Sequence, residues 1–186
     1  MKTDTDLIKW AAEHTQQLIS PLGNRWLHIQ GVVERARAIC NIFDENDQTY
    51  LIAAAYLHDI GYAPELRKTG FHPLDGAYYL LSHDQQRLAS LVAYHSEAQF
   101  EANLRGLTGE LEKIPREYSA VADALTYCDM TTGPTGLQIT FEERIDGILQ
   151  RYDETDIVTK AIQEAVSSLA LAVGRTQVAL QCNSKM

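Results

Sequence analysis

Ala53-Ala54-Ala55-Tyr56-Leu57-His58-Asp59-Ile60-Gly61-Tyr62 is the stretch whose reading decides the fold of this chain. Small and apolar residues run up to an ionisable His-Asp pair, which places the pair at the end of a buried helix. Gly61 is suited to stop that helix, because glycine takes the left-handed conformation of a C-cap without steric cost. Burying an imidazole and a carboxylate there costs free energy unless both are compensated. Two compensations are open: the pair satisfies itself at the helix end, or a divalent ion is held there, for which both groups are ligands.

The dipeptide by itself does not choose. Six histidines in 186 residues give about 0.4 His-Asp pairs by chance. A second pair occurs at His83-Asp84, in the polar run Leu81-Ser82-His83-Asp84-Gln85-Gln86, which reads as an ordinary helix junction. Context separates the two: an apolar run before His58, Ile-Gly after Asp59, and further histidines on either side.

With its Ala-Ala-x-x-Leu lead-in, His58-Asp59-Ile60-Gly61 resembles the HD superfamily of metal-dependent phosphohydrolases, in its HDIG-type branch. The resemblance covers about residues 24–133. It implies an all-α, single-domain bundle whose helices converge on one or two metal ions. The ligands it implies are an upstream His, the His-Asp pair, in two-ion members two further His, and a downstream Asp.

Length and composition are compatible with that. A chain of 186 residues fits one domain, residues 1–186, with a full hydrophobic core. A formal charge of −9 argues against a nucleic-acid surface, which needs a basic stripe. It does not exclude a small anionic substrate, since a bound ion dominates its local field. No apolar run approaches a membrane span, and Met1-Lys2-Thr3-Asp4 has no signal-peptide core. Cys40, Cys128 and Cys182 are odd in number and widely spaced, which suits reduced thiols and a cytoplasmic setting.

Strand periodicity is absent, and helices are expected throughout. The first covers residues 5–19 and stops at Ser20-Pro21-Leu22-Gly23. The second is capped by Asn24 and carries His28, Val32, Ala36, Ile39 and Phe43 on one face. A histidine on an apolar face is by itself compatible with a hydrogen-bonded core residue. In the resemblance, His28 is the histidine that fills the first ligand position. The third helix is expected over residues 47–60.

Arg67 and Lys68 follow in a loop and are candidates to clamp phosphate oxygens, or are simply solvated. His72-Pro73 opens the next helix, since proline suits a first turn. Gly76 and Ala77 on that helix allow close approach to a neighbour. His-x-x-x-Gly-Ala-x-x-Leu is similar to the segment that supplies an extra ligand in two-ion relatives, which implies His72. The apolar run Leu88–Tyr94 ends in His95, implied as the other extra ligand, and Glu97 after it reads as a solvated helix-end residue or as a base behind the ligands. Residues 100–114 read as two short helices about a turn, with Arg105 a further candidate for phosphate.

Pro115 is expected to open a helix running to Asp129, on which Val121, Leu125 and Asp129 share a face. The resemblance implies an Asp as last ligand; Asp129 matches better than Asp123. The loop Gly133-Pro134-Thr135-Gly136 is placed to wall a pocket. Thr140-Phe141-Glu142-Glu143 has capping-box spacing for a helix to about 152, and a last helix spans about 155–181. Residues 140–182 carry no recognisable chemistry and read as packing or as a homodimer contact.

The function the resemblance implies is hydrolysis of a small phosphate-containing substrate, a nucleotide or phosphorylated metabolite, by metal-activated water. His28, His58, Asp59 and Asp129 suffice for one ion; His72 and His95 add a second, for which the resemblance implies Asp59 as bridge. His58 and Asp59 are the expected catalytic pair. Mixed imidazole and carboxylate ligation suits Mn, Fe, Co, Ni or Zn. Two other readings use the same ligands: a two-iron oxygenase, and a non-catalytic metal-binding sensor or interaction domain. A third makes the histidines structural. No Walker A loop, dinucleotide-binding glycine pattern or serine elbow competes.

Overall fold

A computed structural model describes residues 4–183, so Met1-Lys2-Thr3, part of the stretch read as having no signal-peptide core, lies outside the described residues. The described residues form ten α-helices and no strand: α1 Asp4–Ile19, α2 Asn24–Ile39, α3 Glu45–Leu57, α4 His72–Leu81, α5 Gln86–Tyr94, α6 Gln99–Leu104, α7 Thr108–Leu111, α8 Ala120–Met130, α9 Phe141–Leu149 and α10 Ile157–Asn183. The class is all-α, and one continuous apolar cluster runs from Leu7 to Val173.

Helix α3 is the axle. Asp44 caps it, accepting from the Asp47 amide at 2.9 Å, so it starts earlier than residue 47. Leu51, Ile52, Ala53, Ala54, Ala55 and Leu57 are all buried, which covers every side of the helix. A helix apolar all round belongs in the centre of a bundle, and α1, α2, α5 and α8 pack around α3. Its two polar C-terminal neighbours, His58 and Asp59, are thereby delivered to the interior.

Gly61 does not end α3. The helix stops at Leu57, a 3-10 turn covers Ile60–Tyr62, and Gly61 is not among the residues with positive φ. Its role is close approach instead. A Cβ on Gly61 would lie 2.0 Å from the His72 carbonyl oxygen and 2.6 Å from the Gly76 amide nitrogen. Gly76 meets it from the other side, so the small residue read on α4 does let that helix close on a neighbour.

Two helix starts also differ from expectation. Asn24 is the first residue of α2 rather than its cap; Gly23, at φ 56°, turns directly from the Ser20–Leu22 3-10 turn into the helix. Helix α8 starts at Ala120, not Pro115, with Ser119 accepting from the Ala122 amide. Residues 115–118 run across α5 instead: the Glu117 amide donates to Ser90 Oγ at 2.8 Å, and Arg87 forks onto the Glu117 carboxylate.

The capping box at Thr140 and Glu143 forms as its spacing predicts. Helix α10 is long and apolar enough to cross a membrane by length and composition, contrary to the sequence expectation. Its Ala165, Leu169 and Val173 nevertheless join the core against α8.

Candidate metal centre

Five chain segments end at one place. His58 and Asp59 follow α3, His28 lies one turn into α2, and Asp129 is next to last on α8. His72 begins α4, and His95 follows α5. Their ligand atoms form two groups, His28-His58-Asp129 and Asp59-His72-His95, each with donor atoms within 4.8 Å of one another. The Asp59 carboxylate stands between them. Its Oδ2 lies 3.4 Å from His58 Nε2 and 4.0 Å from His28 Nε2; its Oδ1 lies 3.3 Å from His72 Nε2 and 3.9 Å from His95 Nε2.

Backbone carbonyls set the tautomers. His58 Nδ1 donates to Ala55 O at 2.8 Å, His95 Nδ1 to Val92 O at 2.6 Å, and His28 Nδ1 to Gly133 O at 3.1 Å. A carbonyl only accepts, so each neutral ring carries its proton on Nδ1 and aims the Nε2 lone pair inward. His58 Nε2 is buried with no hydrogen-bond partner. His28 Nε2 faces Asp129 Oδ1 at 3.0 Å, one acceptor against another unless a proton or cation lies between. An interior cage of acceptors is a ligand set for a divalent ion, and it fits one.

Charges beyond the ligands tune the site. Burial alone would raise the Asp59 carboxyl, but the Arg25 guanidinium, 2.5 Å from Oδ2, and His58 hold it well below the usual carboxylate range. Burial likewise opposes ionisation of Asp129, and the close His28 contact and the Arg144 guanidinium outweigh it. His58 is held up against its own burial chiefly by Asp59. His95 is pushed down to about 4 by burial and by the neighbouring His58 and His72, which keeps it neutral.

Three of these groups carry no signal in the sequence reading. Arg25 lies one turn before His28 on α2, a spacing that could have flagged it. Arg144 lies on α9, in the region read as without chemistry, and puts Nη2 3.2 Å from Asp129 Oδ1. Ser96 Oγ donates to Asp129 Oδ2 at 2.5 Å from a left-handed backbone, φ 49°. Glu97 is not free in solvent: both its oxygens accept from Arg116, at 3.0 and 3.1 Å. Asp123 pairs with Arg175 at 2.6 Å.

The centre floors a cavity of about 360 Å³, whose walls include Tyr62, Arg105, Arg144 and Arg151. Arg105 reaches it while paired with Glu101 at 2.7 Å. Arg67 and Lys68 are exposed and do not line it. A larger cavity of about 550 Å³, beside Arg35 and Phe141, contains none of the six converging residues, so ligand chemistry rather than size marks the site.

A family model for the HD domain matches residues 25–128, more than half of the chain. The match opens at Arg25 and closes one residue short of Asp129. No curated protein and no solved structure matches significantly.

Proposed function

The chain is a member of the HD-domain family, and on that premise we propose that it is a metal-dependent phosphohydrolase acting on a nucleotide or a small phosphorylated metabolite. The observation that carries the reading is one carboxylate, Asp59, with an oxygen toward each of two imidazole-bearing groups. Asp59, His72, His95 and Asp129 floor a cavity walled by four arginines, Arg25, Arg105, Arg144 and Arg151.

His28, His58 and Asp129 would hold one divalent ion and Asp59, His72 and His95 a second, with Mn, Fe, Co, Ni or Zn all suited to the donors. Bound there, an ion supplies Lewis acidity and a water acidic enough to attack near neutral pH. The protein contributes the rest. Backbone carbonyls lock the His28, His58 and His95 imidazoles with Nε2 inward, Ser96 and Arg144 orient Asp129, and the arginines offset phosphate charge. Tyr62 stacks on His72 with ring centroids 4.0 Å apart, and Arg25 sits 4.0 Å above the Tyr62 ring, which fixes both groups at the cavity wall. Three free thiols suit a cytoplasmic setting.

The test is to strip the protein, reload it with each ion, and follow phosphate release across a panel of nucleotides and sugar phosphates. Release with about two ions per chain supports the reading. Oxygen consumption by an iron-loaded form, with no release, would replace it by the oxygenase.

A further inference from the structure

A second cavity adjoins the metal centre. It has a volume of about 320 Å³ and is lined by Asn24, Arg25, His28, Pro134, Arg144 and Arg151. Three of the six lining residues are arginines and none is acidic. The same three arginines also line the cavity over Asp59, so they form the partition between the two spaces. In a chain of net charge −9, guanidinium groups from α2, from α9 and from the segment after α9 are gathered in one corner.

The three are not equivalent. Arg25 and Arg144 are anchored on buried carboxylates, Asp59 at 2.5 Å and Asp129 at 3.2 Å. Their presence is accounted for by charge balance alone. Arg151 is different: it is exposed, and its side chain has no ion pair among the described residues. Charge balance within the protein does not explain it.

The far wall is built rigidly. Pro134 belongs to a loop that lies directly on α2: a Cβ on Gly31 would come 2.2 Å from the Gly136 carbonyl oxygen. One on Gly136, at φ 83°, would come 2.5 Å from the Leu27 carbonyl oxygen. That backbone contact also brings Gly133 O to His28. The loop, the metal ligand and the arginine corner are therefore one unit.

We infer that this second cavity is an anion subsite, and that the substrate carries a second anionic group, held by Arg151 together with Arg25 and Arg144, besides the phosphate presented to the metal centre. Guanidinium forks suit phosphate and carboxylate oxygens, and they act most strongly where several converge. A substrate with one phosphate and a neutral remainder would leave this corner of positive charge unused. The inference rests on the phosphohydrolase reading for which group is cleaved, but not for the binding of the anion.

The test uses the metal-loaded full chain and two kinds of probe. Binding of methylphosphonate, with one anionic group, is compared with a series of α,ω-alkanebisphosphonates of increasing length. The wild type should bind one or more bisphosphonates at least about tenfold more tightly, equivalent to roughly 1.4 kcal/mol. Arg151→Ala should abolish that gain, weakening the bisphosphonates to the level of methylphosphonate and methylphosphonate itself far less. Arg67→Ala, an exposed arginine outside both linings, should keep the gain. The subsite is overturned if no bisphosphonate gains, if the gain survives Arg151→Ala, or if Arg67→Ala loses it equally. Activity separates the two readings. A gain that depends on Arg151, with no phosphate released from any ester, would retire the hydrolase and keep the subsite. Hydrolysis whose KM is unmoved by Arg151→Ala for doubly anionic and singly anionic esters alike would do the reverse.

Discussion

The chain contains the same dipeptide twice, and folding treats the two copies in opposite ways. His58 and Asp59 are buried, with the imidazoles of His28, His72 and His95 facing the Asp59 carboxylate. His83 and Asp84 are exposed in the turn between α4 and α5, with His83 against Trp10, His14 and Tyr79. Their local chemistry is alike. His58 Nδ1 donates to the carbonyl three residues back at 2.8 Å, and His83 Nδ1 to the one four residues back at 2.9 Å. Both rings therefore present Nε2 in the same tautomer. What differs is where the preceding helix goes: α3 is buried on every side, and the end of α4 points outward. A metal motif is thus a property of the helix that carries it, more than of the two residues that spell it.

The largest test of that contrast is metal content. Asp59→Ala should lose metal by well over the 10–100-fold that changes behind a ligand cost, and phosphate release should vanish with it. Asp84→Ala should keep both. Loss of metal in Asp84→Ala with retention in Asp59→Ala would overturn the assignment.

Gly61→Ala asks whether the context, rather than the pair, makes the site. The added Cβ meets backbone of α4 at 2.0 Å, which cannot yield as a side chain would. Thermal or urea unfolding should show a loss of about 3 kcal/mol, the upper end for overpacking. Elemental analysis should show the ion of Asp59, His72 and His95 lost first. Unchanged stability and two retained ions would refute the close-approach role.

A third test is pH. In ion-free protein His95 stays neutral down to about 4 where an unfolded His takes a proton near 6.5. As pH falls through that window the unfolded state binds the proton and the folded state does not. Stability should therefore decline from pH 6.5 to 4, by about 3 kcal/mol at most from this group. His95→Gln should flatten that part of the profile. His58 acts in the opposite sense: its folded value is raised, so its contribution is present below about 6.5 and fades as pH rises beyond it. His83→Gln should leave metal content unchanged.

The smallest effects belong to Asp84. Its φ of 58° is left-handed, and Gln85 rather than Asp84 is the cap of α5. Asp84→Ala should cost about 1 kcal/mol through backbone strain, not through a lost cap. Asp84→Gly should be neutral or mildly stabilising in the same unfolding measurement.

Helix existence was legible because it is written in short-range periodicity. Helix ends were less so. Pro115 carries a helix-start signal, but Ser90 and Arg87 tie down Glu117 and hold residues 115–118 across α5. Gly61 carries a stop signal, but its glycine serves a neighbour that arrives eleven residues later. In both cases a contact distant in the chain overrode a local preference.

The sequence by itself determined an all-α chain, and the family resemblance it carries pointed to six histidine and aspartate positions that lie close together in the fold. Those residues are uncommon and sit at ends of apolar helices, where burying them calls for compensation that sequence context exposes. Only the tertiary structure decided which cations join them. Arg25, Arg144 and Arg151 lie in no shared motif, whereas the adjacent Arg67 and Lys68, nearer to Asp59 in the chain, stay outside. A guanidinium on a long flexible stem is tolerated at almost any surface position, so its place in the sequence carries no pattern. Its destination is set by which helices pack side by side and where their ends converge.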